Sequence, residues 1–326
     1  MGPQCRQRRA GCHQRIGMNK DFPKASIIIP ARKAELTIFN TLRSVLVNPL
    51  CGSAEIIIVN DGLDNATIRL IGEYPVKMVD GKRKGIAAAR NMGIGLSKGE
   101  ILIFLDADCR ASKNWLTAHL KAHECNETLL AVGGSICMDP GASFWARCDH
   151  YSSWYNVHPY QPKRWVPNHP GANLSISRQA WEQVGEFRED LPHPGVHEDF
   201  EWQKRFKRTG GKILFEPRAA VWHVDRSDFK SYLAHHFQWG YNSIEVKSKS
   251  RISRFPWIYR NPLALIIGFI PFAVAHTIYT MACWLKEGKL EPLFCCAFIF
   301  LGRLFYSWGM AVGGIRYLTA GKKPHR

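Results

Sequence analysis

Acidic residues are scarce in this sequence. Against 44 Lys and Arg, the 326 residues hold only 27 Asp and Glu, a formal net charge of +17. Such an excess points to an anionic partner: nucleic acid, a phosphorylated small molecule or an acidic membrane face, with a plain basic surface as the bland alternative. The ten cysteines form no framework. There is no CxxC pair, and Cys295 and Cys296 stand side by side in an apolar stretch. That argues against a zinc cluster or a disulfide scaffold and suits reduced thiols in a cytosolic setting. Walker loops and nucleophile elbows are missing too. Gly93, Gly95 and Gly99 echo a dinucleotide fingerprint, but they precede a strand where they should follow one. Residues 1–23 lack the apolar core of a secretory signal and carry Arg6, Arg8, Arg9, Arg15 and Lys20, so they read as a basic disordered tail.

Charge is also absent from Pro262 to Leu285, a run that exceeds the roughly 20 residues a helix needs to cross a bilayer core. A second run, Pro292 to Ile315, is interrupted only by Arg303. The two predict a membrane-spanning helical hairpin over 262–316, the structural alternative being a buried hairpin of a soluble domain. Arg303 is expensive at mid-membrane unless it faces protein, water or a lipid phosphate. Lys247, Lys249, Arg251, Arg254 and Arg260 precede the hairpin, in a basic linker over 246–261 and just before it. Arg316, Lys322, Lys323 and Arg326 follow it, most of them in a basic tail over 317–326. The connection has Lys286 and Lys289 countered by Glu287 and Glu291. By the positive-inside rule both ends are cytoplasmic, the tip faces out, and most of the chain hangs on the cytosolic side.

Residues 24–245 alternate strands with helices. "ASIIIPA" (25–31), "AEIIIVNDG" (54–62), "VKMVD" (76–80) and "EILIFLDAD" (100–108) read as strands. Leu36, Phe39, Leu42, Val45 and Leu46 share a helical stripe, and 85–99 is an Ala-rich helix closed by Gly. The fold class is α/β, a mainly parallel sheet with flanking helices. Ligands of such sheets bind beyond the carboxyl ends of the strands, here Pro30–Ala31, Asn60–Asp61 and Asp106–Asp108. Consecutive strand side chains point to opposite faces, so Asp106 and Asp108 point the same way, and two such carboxylates repel unless a cation joins them. Hard oxygen ligands suit Mg²⁺ or Mn²⁺ with substrate phosphates. His119 and His123, four apart on a helix, read as an exposed face, since nothing nearby completes a metal set. Glu198 and Asp199 open a helix, where acidic residues serve either as dipole partners or as a general base.

These segments, in order, resemble a family 2 glycosyltransferase of the GT-A fold, of the membrane-anchored bacterial type, over about residues 24–240. The matching pieces are "SIIIPARKAE", "EIIIVNDGLDNAT", "GIAAARNMGIGLSKGEILIFLDADC" and "GANLSISRQAWEQVGEFREDL" with "HEDFEWQKRFKRTGGKILFEPRAAVWH". The resemblance implies nucleotide-sugar binding by Pro30, Ala31, Arg32, Asp61, Arg90, Asn91, Asp106 and Ala107. It implies a divalent metal, Mg or Mn, at Asp106, Asp108 and His223. Asp199 becomes the catalytic base, with Glu198 and Asn173 on the acceptor side. The implied reaction is an inverting, single hexosyl transfer from a nucleotide-diphosphate sugar to a hydroxyl of a membrane-associated or lipid-linked glycan, in polysaccharide biosynthesis at the inner membrane. Sugar loading onto a polyprenyl phosphate is the nearer alternative, and a non-catalytic basic membrane or nucleic-acid-binding protein the distant one; nucleic acid is not the expected partner. Lys33, Ala34 and Asn60 depart from the family pattern. "QPKRW" (161–165) imitates a motif of processive synthases but precedes the Glu-Asp pair, so it reads as coincidence.

Overall fold

The computed structural model describes residues 23–124, 130–191, 197–249, 256–259 and 261–319. The β-branched runs have no polar face, and they lie at the centre of one sheet, buried on both sides. The first half alternates β1 (Ala25–Ala31), α1 (Ile38–Leu46), β2 (Ala54–Asn60), α2 (Asn65–Ile71), β3 (Lys77–Asp80), α3 (Ile86–Leu96) and β4 (Ile101–Leu105). β1 pairs in parallel with β2 and β4, and β2 with β3. α1 seats Ile38, Leu42 and Val45 on the sheet. Leu36, expected in that stripe, lies in the turn before the helix and is 94% exposed.

The second half comprises β5 (Cys109–Ala111), α4 (Trp115–His123), β6 (Leu130–Met138), α5 (Phe144–Ser153), β7 (Arg164–Trp165), β8 (Asn173–Ser177), α6 (Arg178–Val184), α7 (Glu198–Arg208) and β9 (Lys212–His223). The sheet order is β3-β2-β1-β4-β8-β6-β9-β5, with β7 paired to β9. β8 runs antiparallel between β4 and β6, whereas β6 and β9 are parallel, so this half is mixed. The architecture is thus an α/β sheet with flanking helices, parallel where the first three crossovers build it. His119 and His123 are not an exposed face. Both rings are bonded to Ser175, and His119 also to Asn173, because α4 lies over β6 and β9 beside β8; His119 is buried and His123 half-buried.

Beyond the sheet come α8 (Phe229–Lys249), α9 (Pro256–Tyr259), α10 (Pro262–Lys286) and α11 (Cys296–Thr319). α10 and the stretch containing α11 are long and apolar enough to cross a membrane, with mean hydropathies of 1.8 over Leu263–Lys286 and 1.5 over Glu291–Arg316. Arg303 faces protein: its guanidinium donates to the Ser152 carbonyl and to Thr280, and lies over the Tyr155 ring. The connection between α10 and α11 does not point away from the catalytic half. Trp284 donates to the Tyr151 carbonyl at 2.9 Å and stacks on His158, and Lys289 sits 3.6 Å above the Tyr160 ring. Positive-inside counting weighs charges alone, and these aromatic partners have none. The basic residues expected in the first tail, in the linker at Arg251, Arg254 and Arg260, and at the end at Lys322, Lys323 and Arg326, lie outside the described residues.

Candidate active site

β4 stops at Leu105, three residues earlier than the sequence pattern suggests, and Asp106, Ala107 and Asp108 form a turn past its carboxyl end. Strand alternation therefore does not govern where the two aspartates point. The turn is pinned from four sides. Cys109 N–H donates to the Asp106 carbonyl at 3.0 Å, Asp106 N–H to Ala172 at 3.1 Å, and Val224 N–H to Asp108 at 3.1 Å. From α1, the Thr41 hydroxyl donates to the Ala107 carbonyl at 2.9 Å.

A cleft of about 380 Å³ opens over this turn, lined by Pro30, Arg32, Asp61, Asp106, Ala107 and Asp108 together with Lys33, Thr37, Gly85 and Val224. Six residues picked from sequence thus share one wall. Asp61 is buried and accepts from Gly85 N–H at 3.2 Å, joining the end of β2 to the start of α3. Asn60, the departure from the family pattern, accepts from Gly62 and Leu63 N–H at 3.0 and 2.8 Å, an Asx turn that shapes the same loop. Lys33, Lys82, Arg83 and His197 hold left-handed backbone (φ 51 to 64°). Lys33 lines the cleft, and Lys82 and Arg83 lie just before Gly85, so the unusual backbone gathers in loops beside it.

Other expected residues are elsewhere. Ala31 is wholly buried and pairs with Asn60. Asn91 braces the loop after α6, donating to the Phe187 carbonyl and Glu189 and accepting from Phe187 N–H. Asn173 is a buried hub: its amide donates to the Ser135 and Ala219 carbonyls and accepts from Trp115. Their bonding places them in the support of the site.

Arg90 connects the two acidic motifs. It is buried, 2.6 Å from Glu198 and 3.5 Å from Asp106, with its charge also over the Phe104 and Phe187 rings. A Cβ on Gly171 would come within 2.6 Å of that guanidinium, so the bare backbone there is what admits it. Gly171 N–H donates to Asp199 Oδ2 at 2.7 Å, and Phe200 N–H to Oδ1 at 2.7 Å, fixing the plane of the carboxylate. Burial raises the pKa of Asp199 and Asp106, and the neighbouring Arg90 opposes the rise in both. Glu198 is likewise raised, by burial and by Asp199.

On the other side of the turn, His223 Nε2 lies 3.7 Å from Asp108 Oδ1. Asp108, His223 and Cys109 offer ligand atoms within 4.8 Å of one another. The Cys109 thiol is pushed well up by burial and by Asp108, and so stays neutral and a poor ligand. Carboxylate oxygen with imidazole nitrogen suits Mn²⁺ or Mg²⁺. The ring is oriented for this: His223 Nδ1 meets Asp225 Oδ1 at 2.8 Å, which leaves Nε2 toward Asp108. Asp225 also receives His150 Nδ1 at 3.0 Å and Trp154 Nε1 at 2.9 Å. Burial disfavours the charged ring, but Asp108 and Asp225 outweigh it and lift the His223 pKa to about 9. Asp225 itself is buried, yet His223 and His150 hold it far below the usual carboxylate range. Sequence reasoning missed Asp225, His150 and Trp154. Asp225 follows His223 by two residues and was visible there, whereas α5 contributes its partners from some 70 residues away.

"QPKRW" sits far from this cleft. Arg164 bonds Gln161 and covers Phe215 at the start of β9, eight residues from His223, or roughly 25 Å along the strand.

The sheet order and the turn past β4 define the GT-A fold. The solved mannosyltransferase PcManGT from Pyrobaculum calidifontis, in complex with GDP-Man and Mn²⁺, superposes with a TM-score of 0.59 at 17% identity, covering 93% of this chain and 89% of that one. Within that fold, residues 26–185 match the sequence model described as Glycosyl transferase family 2. The glycosyltransferase AglE of Haloferax volcanii is 27% identical over 264 residues, 78% of this chain and 84% of the relative. The uncharacterized glycosyltransferase YfnE of Bacillus subtilis is 32% identical over 137 residues, 40% of this chain and 32% of the relative.

Proposed function

We propose that this glycosyltransferase moves one sugar, with inversion, from a nucleotide-diphosphate donor to a hydroxyl of a membrane-associated or lipid-linked glycan. The reading rests on Arg90, which joins Glu198 of the acceptor motif to Asp106 of the donor motif through one buried guanidinium. Pro30, Arg32 and Asp61 bind the nucleoside end of the donor in the cleft. Asp106, Asp108 and His223 would hold a divalent cation, Mg²⁺ or Mn²⁺, which neutralises the diphosphate as it leaves. Asp225 keeps His223 turned toward Asp108. Asp199 takes the proton of the acceptor hydroxyl as its oxygen attacks the anomeric carbon and the bond to the diphosphate breaks on the opposite face. Its burial favours the protonated product of that step, and the charge of Arg90 opposes that burial effect.

The apolar helices α10 and α11 associate the enzyme with a membrane, in this reading the inner membrane with the catalytic half cytoplasmic. Loading of a polyprenyl phosphate would call on Arg303 or the basic residues flanking the hairpin to meet the lipid phosphate, and of these the Arg303 guanidinium is held by Ser152 and Thr280.

Asp199→Asn tests the base. Transfer should fall by about 100-fold or more while calorimetric binding of the nucleotide with Mn²⁺ persists. Transfer at the parent rate would remove Asp199 from the role.

A further inference from the structure

The catalytic assignment does not bear on how the C-terminal helices meet the membrane, and their packing speaks to that directly. A hairpin that crosses a bilayer touches the domain it anchors at one end of its helices. Here the contacts run along most of α8, along the C-terminal half of α10 and over the first two turns of α11. α10 meets the catalytic half at Trp284 and again at His276, which lies 3.2 Å from the Tyr155 hydroxyl, about 12 Å along the axis. α11 meets it at Phe298, against the Trp145 ring, and at Arg303 through Ser152. α8 meets it at Phe229, also against Trp145, and at Ser243, which is 2.8 Å from His197 beside the Glu-Asp motif.

α8 and α11 are locked side by side. Tyr232 donates to the Phe298 carbonyl, a Cβ on Gly309 would lie 2.2 Å from the Phe237 carbonyl oxygen, and one on Gly313 would lie 2.6 Å from that of Tyr241. Any crossing made by α11 must therefore carry α8 across with it. α8 holds Lys230, His235, Gln238, Asn242 and Lys247, and has no apolar run of spanning length.

Each of the three helices also has a bare apolar side. On α10 it is the stripe Leu263, Ile267, Ile270, Val274, Ile278 and Leu285, with Ile267 77% exposed. Between α8 and α11 it is an open groove of about 410 Å³ formed by Leu233, Phe237, Phe305 and Trp308. Lys286 and Lys289 near the tip, Lys230 in the groove and Arg316 toward the far end of α11 supply cations at its margins. An apolar face bordered by cations fits the interface of an anionic lipid surface, entered to a depth of about 5–10 Å.

We infer that α8, α10 and α11 form a platform lying along one leaflet, with the α10–α11 connection and the end of α11 both on the catalytic side. The occupant of the bare face is lipid. The test uses the full chain bound to the outside of phosphatidylglycerol–phosphatidylcholine vesicles and a membrane-impermeant maleimide, the parent chain serving as the blank for native thiols. One variant carries Leu290→Cys at the tip and another a single cysteine appended after Arg326. Both added thiols should react in intact vesicles to the same extent as after detergent. A thiol protected until detergent is added would mean a crossing and would overturn the platform.

A second variant, Ile267→Glu with Ile270→Glu, should lose vesicle association while Mn²⁺ and nucleotide binding stay unchanged. Retained association would equally overturn it, as would a parent chain that ignores vesicles. None of these readouts involves sugar transfer, so their failure leaves the proposed reaction standing, and failure of Asp199→Asn to act leaves the platform standing.

Discussion

At the scale of single residues, the site is governed by who holds whom. Asp225 touches neither cleft wall, yet His223, His150 and Trp154 all converge on its two oxygens. Asp225→Asn keeps the shape and removes the charge. Affinity for Mn²⁺ should fall by about 10–100-fold, read by quenching of the nearby tryptophan fluorescence, with the Trp154 ring 5.0 Å from His223. An unchanged affinity would assign Asp225 to folding alone. The aspartates of "LDAD" were legible because a β-branched run has to end somewhere and carboxylates beyond its end have few structural uses. Their division of labour was not legible. Asp106 turns to Arg90 and Asp108 to His223 because the strand stops early, and nothing in the local sequence announces that stop.

Elements tell a similar story. β1, β2 and β4 could be read within a residue or two at their starts, since an unbroken apolar run must be covered on both faces. The antiparallel insertion of β8 could not, because "NLSIS" alternates two apolar residues with polar ones that find partners only in the folded chain. α8 offered still less. Its 21 residues mix polar and apolar side chains without a clear stripe, and its fit to α11 depends on glycines whose missing side chains leave no hydropathy signal. Gly309→Leu forces the two helices apart where they approach closely. A loss of about 1–3 kcal/mol in urea unfolding is expected, and no loss would mean that the helices do not pack as described.

For the whole molecule, hydropathy found the apolar segments but could not say what covers them, because protein and lipid are equally apolar partners. The boundary read at 245 falls inside α8, and the hairpin beyond it covers Tyr151 and Tyr232 of the preceding part. A chain ended after Lys249 bares those surfaces and should aggregate, as followed by size-exclusion chromatography. A monodisperse product would show that residues 256–319 are an independent appendage.

The Arg90 bridge limits how such an enzyme can be recombined. In the proposed reading the donor side lies in β1 to β4 and the acceptor side in the segment around α7, which invites the exchange of one half between relatives. Arg90 belongs to the first half and its shorter ion pair to the second. A transplanted acceptor half without a carboxylate at the Glu198 position leaves that guanidinium buried without its shortest ion pair, which pulls the donor motif out of place before any sugar arrives. Modularity in this fold therefore ends at one side chain.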